Sequence, residues 1–351
     1  MRVLLVILAT LFSAASLISS SPRAAAYTSP PGIEPEDTVA SQVLHALENT
    51  PKVRMDRTAR IAPTKGGKDS ITIAGPDSST TIPSRAGSRI RLTKAGRTMG
   101  ITIPGQDDIP AKTVSQGVVA FDNKNGSATA PVVLSDGSVQ ITTIISAVNA
   151  PRSYAYQLDL PDGATVTETG GGLWFSVGTQ PIGGIAPAWA TDSNGTSVPT
   201  RYVYKEGVLT QIIDHSAKFA YPIVADPWIG INLFSSITVD SYYSQPRVNL
   251  NLSWWGWAIY TGNAQGAGIL GVAAGQAILN SAGWTEAWTK NSTVQAALNK
   301  TSQRQQFECH ALGALLAGTW NLEKYRPTLN VWWGNNVAQH HCNWSTSSGG
   351  I

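Results

Sequence analysis

The sequence predicts an α+β fold: an N-terminal β-sandwich-like antiparallel module followed by a smaller, disulfide-linked α+β domain. Three observations predict it. Short apolar or alternating runs recur between residues 116 and 228, with turn dipeptides between them. Only 13% of residues are charged, and Gly, Ser, Thr, Asn and Pro carry the surface. That composition suits an extracellular β-rich protein better than a cytosolic helical one. Finally, helical signals and the only two cysteines gather towards the C-terminus.

Residues 1–26 have the three parts of a cleavable secretory signal peptide. Arg2 gives a positive start, residues 3–19 are uncharged and mostly apolar, and Ala24-Ala25-Ala26 offers small residues for cleavage before Tyr27. A spanning helix needs about 20 apolar residues. This run is shorter and is broken by Ser13, Ser16 and Ser19. No cysteine follows it that would take a lipid. Cleavage removes Arg2 and Arg23 but no acid, leaving 25 minus 2, or 23, Lys+Arg against 22 Asp+Glu. A chain so near neutrality lacks the charge of a nucleic-acid binder, so no nucleic-acid partner is expected.

Residues 27–115 form an N-terminal segment rich in Gly, Pro and Ser. Within it, a short amphipathic helix is predicted over 37–48, with Val39, Val43, Leu44 and Leu47 on one side. Alternation in Ser70-Ile71-Thr72-Ile73 and Arg89-Ile90-Arg91-Leu92 predicts strands. Residues 116–228 form the β-rich, sandwich-like domain. Strands are predicted at 117–121, 131–134, 139–145, 154–160, 173–177, 201–204 and 208–213. Asn125-Gly126, Asp136-Gly137, Asp162-Gly163 and Glu206-Gly207 punctuate them. Asn-Gly and Asp-Gly tolerate the positive φ that tight hairpins need.

Residues 229–351 form the C-terminal α+β domain. Strands are predicted at 231–239 and 248–257, the second unusually aromatic with Trp254, Trp255 and Trp257. A charge-free Gly/Ala-rich run follows over 262–283 and contains Gly271-x-x-x-Gly275. Small residues at that spacing permit close helix approach. The run reads either as a membrane-active segment or as a buried helix packed against the tryptophan strand. From Trp284 to about Leu316 the pattern is helical, with a break at Asn291-Ser292-Thr293 that can cap a second helix.

Cys309 and Cys342 are an isolated pair, and in an exported chain such a pair forms a disulfide. A thiolate metal site with nearby histidines is the alternative. The bridge closes 342 minus 309, or 33, residue steps, worth roughly 3.5–4 kcal/mol in the chain-entropy account. It would also set His310 beside His341. His340 and His341 point to opposite faces of an extended chain, so at most one joins His310. With Glu308 or Glu323 nearby, such a set is a candidate general acid/base pair or metal site. The competing reading is a disulfide knot with His and Trp packed for structure. Adjacent histidines lack the i, i+4 spacing of the common zinc motif, and no metal or cofactor is expected. Asp214-His215 has no marked serine to complete a triad, and His215, at a strand end, is expected at the surface. Asp122-Asn-Lys-Asn-Gly126 falls short of a calcium loop because Lys124 stands where an oxygen ligand is needed. There is no Gly-x-Ser-x-Gly elbow, phosphate loop or dinucleotide fingerprint. The 12 tryptophans are either core or sugar-stacking residues.

Two resemblances accompany these readings. Residues 114–228 resemble a region of uncharacterised actinobacterial secreted proteins. The stretches that carry it are Tyr154 to Ala164, Ala188 to Gly195 with Val198-Pro199, and Tyr221-Pro-Ile-Val-Ala-Asp-Pro-Trp228. The likeness implies a boundary near Pro227 and no activity. Residues 250–344 resemble the family called domain of unknown function 2599. They do so through Trp284-Thr-Glu286, Gln306-Phe307-Glu308-Cys309-His310, Trp320 to Pro327, and Cys342-Asn343. The chain departs from that pattern in its Gly/Ala run and in Tyr325, where Trp is common. That likeness implies fold and secretion, not a reaction.

The first expectation is therefore a secreted, monomeric, non-enzymatic protein that binds a cell-wall or extracellular glycan or protein ligand. The second is a hydrolase or toxin domain using His310, His340 or His341, and Glu308 or Glu323. A membrane-active protein using 262–283 is the third.

Overall fold

Side-chain alternation decides which strands have one wet face. Ser153–Asp159 alternates strictly between exposed and buried positions, with Tyr154, Tyr156 and Leu158 turned inward. Val208–Ile213 repeats the period of two. Two central strands behave differently. Every residue of Ser127–Val133 and of Val139–Ile145 is buried, so both faces of these strands must be covered.

The computed structural model describes residues 37–59, 70–74, 78–94, 96–105, 108–115, 118–169, 171–178, 180–261, 268–313 and 318–351. The signal peptide expected over 1–26 lies outside the described residues, as does 262–267 of the Gly/Ala run.

Among the described residues three antiparallel sheets form. The first has seven strands, in the order Ser70–Ala74, Ser78–Pro83, Arg89–Lys94, Arg97–Thr102, Ser153–Asp159, Val208–Ile213, Thr200–Lys205. The second has ten. Its main path is Ala164–Thr169, Gly172–Val177, Gln180–Ile185, Trp228–Gly230, Val139–Ile145, Ser127–Val133, Val118–Asp122, Lys112–Ser115. Ala190–Thr191 and Ile223–Ala225 pair off that path. The third joins Phe234–Tyr242, Gln245–Leu252 and Trp320–Glu323. The class is α+β, mostly antiparallel sheet, with one disulfide.

One apolar core holds residues of both large sheets, including Ile90, Leu92, Tyr156 and Leu209 of the first with Phe121, Ile141, Phe175 and Ile229 of the second. A second core holds other residues of the ten-stranded sheet, such as Ala130, Val132 and Ile144. It adds Val43 and Leu47 of the helix Asp37–Glu48 and, from the C-terminal part, Phe234, Trp255, Phe307 and Trp320.

The predicted strand over 248–257 ends early. Gln245–Leu252 is a strand, but Ser253 starts a helix, Trp254–Tyr260, by accepting a hydrogen bond from the Gly256 N–H at 2.8 Å. The N-cap overrides the β preference of the tryptophans. Asn291 caps Ser292–Ala297 as expected, accepting from the Val294 N–H at 2.9 Å.

Within the Gly/Ala run, Gly268–Ile278 is a helix of 11 residues, followed by a π-turn over Leu279–Gly283. No helix among the described residues is long and apolar enough to cross a membrane. Gly275 instead meets the tryptophan helix, where an added Cβ would overlap the Ile259 carbonyl oxygen. Gly275→Ala should therefore destabilise the chain by about 1–3 kcal/mol through overpacking. Urea unfolding measures this, and an unchanged midpoint would refute the close approach.

Candidate functional site

Two places concentrate chemistry: the surroundings of the disulfide, and a cleft between the seven-stranded sheet and the C-terminal hairpin.

The helix Thr301–Leu312 presents a row of amides to the chain that follows it. Gln306 makes a two-way bond with the strand Trp320–Glu323. Its Oε1 accepts from the Glu323 N–H at 2.8 Å and its Nε2 donates to the Glu323 carbonyl at 3.0 Å. Gln303 donates to the Leu322 carbonyl at 3.1 Å. Gln305 makes the same two-way pair with Leu329, at 2.9 and 3.0 Å. Lys300 Nζ donates to the carbonyls of Lys324 and Arg326 at 2.8 and 2.6 Å. Buried backbone groups left unpaired are costly, and these side chains pair them. Cys309 bonds Cys342 across 33 residue positions and ties the last segment to the same helix.

The chemically suggestive residues sit inside this knot. Glu323 is buried and ion-paired with the buried Arg326, whose other nitrogen donates to the Trp344 carbonyl at 2.6 Å. Glu308 pairs with Arg304 at 3.1 Å on the same helix face. His340 is buried. Its Nδ1 accepts from the Cys342 N–H at 3.0 Å, and its Nε2 faces the carbonyls of Trp333 and Asn335 at 3.1 and 3.0 Å. Nδ1 is thereby an acceptor, and Nε2 points at two acceptors. His341 is exposed, with φ 46°.

His310, only 8% exposed, stacks on Trp320 with ring centroids 5.6 Å apart and planes 8° from parallel. Burial pushes its pKa down to about 4, since desolvation penalises the imidazolium. His310 thus lies in the aromatic core, whereas His341 is exposed. Glu323 and Glu308 each face an arginine. Among the described residues, no group of three or more His, Cys, Asp or Glu side chains can hold a metal ion.

His215 corrects an expectation. It is fully buried, with Nδ1 against the Tyr221 hydroxyl at 2.8 Å and Nε2 against the Pro151 carbonyl at 3.1 Å. Two ring nitrogens with partners make an interior position affordable to this strand-end residue.

Asp226 is also fully buried, and burial pushes its carboxyl well above the usual range. It accepts from the Trp189 N–H at 3.4 Å. Trp189-Ala-Thr-Asp192 is thereby joined to the Tyr221 to Trp228 segment. Asp192 adds to this by accepting from the Ala220 N–H at 3.1 Å.

The cleft has a volume of about 360 Å³. Leu92, Met99, Trp174, Ile182 and Phe234 give it apolar walls, and Lys94, Arg97, Asp136, Glu286 and Lys290 give it charge. Glu286 is its most constrained group. It accepts from the N–H groups of Leu233 and Phe234 at 2.8 and 3.2 Å, fixing the start of the hairpin. Lys94 of the seven-stranded sheet lies 3.6 Å from it. Burial raises the Glu286 pKa, while Lys94 and the two amides pull it down. Asp136 accepts from the Ser138 N–H and hydroxyl at 2.9 and 2.6 Å and orders its turn.

Sequence reasoning marked Glu286 only as part of Trp284-Thr-Glu286. Nothing local signals Lys94 as its partner. No family model, no curated protein and no solved structure matches the chain.

Neutral His310 makes stability depend on acid. Its folded pKa, about 4, lies below the ordinary 6.5. Between those values the unfolded chain binds a proton that the folded chain does not, so stability falls as pH drops from 6.5 towards 4. At pH 4.5 the loss assigned to this residue is about 2–3 kcal/mol. His310→Phe keeps the stack on Trp320 and should shrink the difference in unfolding free energy between pH 7 and pH 4.5 by that amount. An equal acid loss in both chains would contradict the assignment.

Proposed function

We propose that the chain is a secreted, non-enzymatic binding protein of the cell envelope or extracellular space. In this reading its cleft takes a small amphipathic ligand with an anionic head. The observation that carries the reading is the cleft itself. Its volume falls in the range of small-molecule sites, with apolar walls and a few converging polar groups, one of them shifted in pKa. The lining has three cations, Lys94, Arg97 and Lys290, against two carboxylates, Asp136 and Glu286. Both carboxylates accept backbone N–H bonds. The balance favours an anion.

Secretion is supported by the N-terminal pattern of residues 1–26 and by a disulfide that an oxidising compartment preserves. A non-enzymatic role is supported by the engagement of His310, His340, Glu308 and Glu323 in packing, hydrogen bonds and ion pairs. The shared core of the two large sheets supports a sandwich-like module. In this reading the C-terminal part, resembling domain of unknown function 2599, folds onto that module as a monomer and closes one side of the cleft.

Anilinonaphthalenesulfonate, an apolar ring system bearing one sulfonate, is a suitable probe. With about 21 non-hydrogen atoms it should bind at tens of micromolar. Lys94→Met should weaken it at least about tenfold, the loss of one charge-assisted contact. Glu286→Gln leaves one side-chain oxygen to accept from the Leu233 and Phe234 N–H groups, releases Lys94 and should tighten binding. Fluorescence titration of the folded full chain reads both. Equal affinities in all three proteins would sink the cleft as the site. Sedimentation with isolated cell envelopes tests the location of the ligand, and a chain left wholly in the supernatant counts against an envelope partner.

A further inference from the structure

The hairpin Phe234–Tyr242 and Gln245–Leu252 closes on two residues, Tyr243 and Ser244, with φ of 48° and 57°. A two-residue turn with both φ positive is the geometry that Asn-Gly satisfies. A bulky side chain there is an outlier that costs stability. Core packing does not hold Tyr243 in place, because it is 70% exposed.

What surrounds Tyr243 is tied together by ring and ion-pair contacts. Its ring meets those of Tyr242 and Tyr325, each at a centroid distance of 4.7 Å. Tyr242 and Tyr325 also touch one another, at 5.6 Å. Arg247 lies 4.8 Å over Tyr242 and is held by two bonds to Asp240, of 2.9 and 2.6 Å. Arg326 lies 4.9 Å over Tyr325 and is anchored by Glu323 and the Trp344 carbonyl. Tyr325 thus joins the tip to the disulfide-bonded segment.

We infer that this tip, Tyr242 and Tyr243 with Tyr325, is a carbohydrate platform on which a pyranose ring of an extracellular polysaccharide stacks. The chemistry selects among ligands. Two of the three rings already carry a guanidinium, so the cluster is not an empty cage for an ammonium group. A protein partner needs about 800 Å² on each side, whereas one protruding aromatic buries about 150–250 Å². A sugar ring presents a C–H face of the size of one aromatic ring. Beside the rings, Asp240 and Arg247 set acceptors and donors where sugar hydroxyls need both. The inference shares the extracellular binding role proposed above but uses no residue of the cleft.

Isothermal titration of the full chain with cellohexaose, chitohexaose and maltohexaose tests it, with Tyr243→Asn as the variant. Asn accepts positive φ and removes the ring. At least one hexasaccharide should bind, and the variant should bind it about tenfold more weakly. The variant should also melt about 2 °C higher, as the backbone strain is relieved. Loss of all hexasaccharide binding in the natural chain, equal affinity in the variant, or a melting temperature that does not rise would each overturn the inference. So would ring-dependent binding of a twelve-residue oligothymidine in place of sugar, which would make the tip a base-stacking site. Anilinonaphthalenesulfonate affinity should be unchanged by Tyr243→Asn, and hexasaccharide affinity by Lys94→Met. Failure at the tip is therefore distinguishable from failure at the cleft.

Discussion

Ser127–Val133 and Val139–Ile145 are buried along their whole length, and much of the architecture follows from that requirement. A sheet with two dry faces needs two covers. Residues of the seven-stranded sheet share one core with it. The other core brings in the helix Asp37–Glu48 and the C-terminal hairpin and helices. Trp255 marks the junction: it is fully buried, stacks on Trp174 of the ten-stranded sheet at 5.6 Å, and belongs to the helix capped by Ser253. Where the hairpin, the stretch from Thr285 to Lys290 and the seven-stranded sheet come near without filling the space, the cleft remains.

Covering a sheet with polar-rich segments carries a cost in buried backbone groups. Gln305 and Gln306 answer it with amides that both donate and accept, and Gln303 adds a donor. A lysine and an arginine finish the carbonyls they leave. Buried polar networks of this kind are highly sensitive to loss of one member, because the remaining partner stays desolvated. Several acids and histidines beside the disulfide are engaged in the same way. Glu323 neutralises Arg326, and His340 pairs a backbone N–H with backbone carbonyls. His310 stays neutral in an aromatic stack.

Much of the sheet structure was legible in the sequence, for local reasons. A period of two exposed the strand that is Ser153–Asp159, and Asp136-Gly137 and Glu206-Gly207 fall at turns with positive φ at Gly137 and Gly207. The helix at 37–48 followed from its apolar spacing. What escaped was non-local or a contest between signals. Three tryptophans spoke for a strand, and one serine hydroxyl turned them into a helix. His215 looked exposed because its partners, Tyr221 and Pro151, come from elsewhere in the chain. Lys94 and Glu286 lie on different elements, and no period or spacing connects them. The aromatic tip was hidden for the opposite reason: Tyr243-Ser244 contradicts the turn chemistry that predicts hairpins, and only the backbone angles reveal the turn.

The hairpin is present at both surfaces, since Phe234 and Ile237 line the cleft while Tyr242 and Tyr243 form the tip. From Ile237 to Tyr243 is six strand steps, about 20 Å at the usual rise. Along that length the register runs without a shift, from Ser236 opposite Asn251 to Tyr242 opposite Gln245. A slip by one residue would turn Val248 and Leu250 out of the core, and the Asp240–Arg247 pair would have to break. The ladder therefore offers no second arrangement of comparable energy. Coupling between distant sites needs an element with two such arrangements. A ligand in the cleft and a sugar at the tip should accordingly bind as independent events on one stiff support, with affinity for a composite surface arising from simultaneous engagement rather than from conformational change.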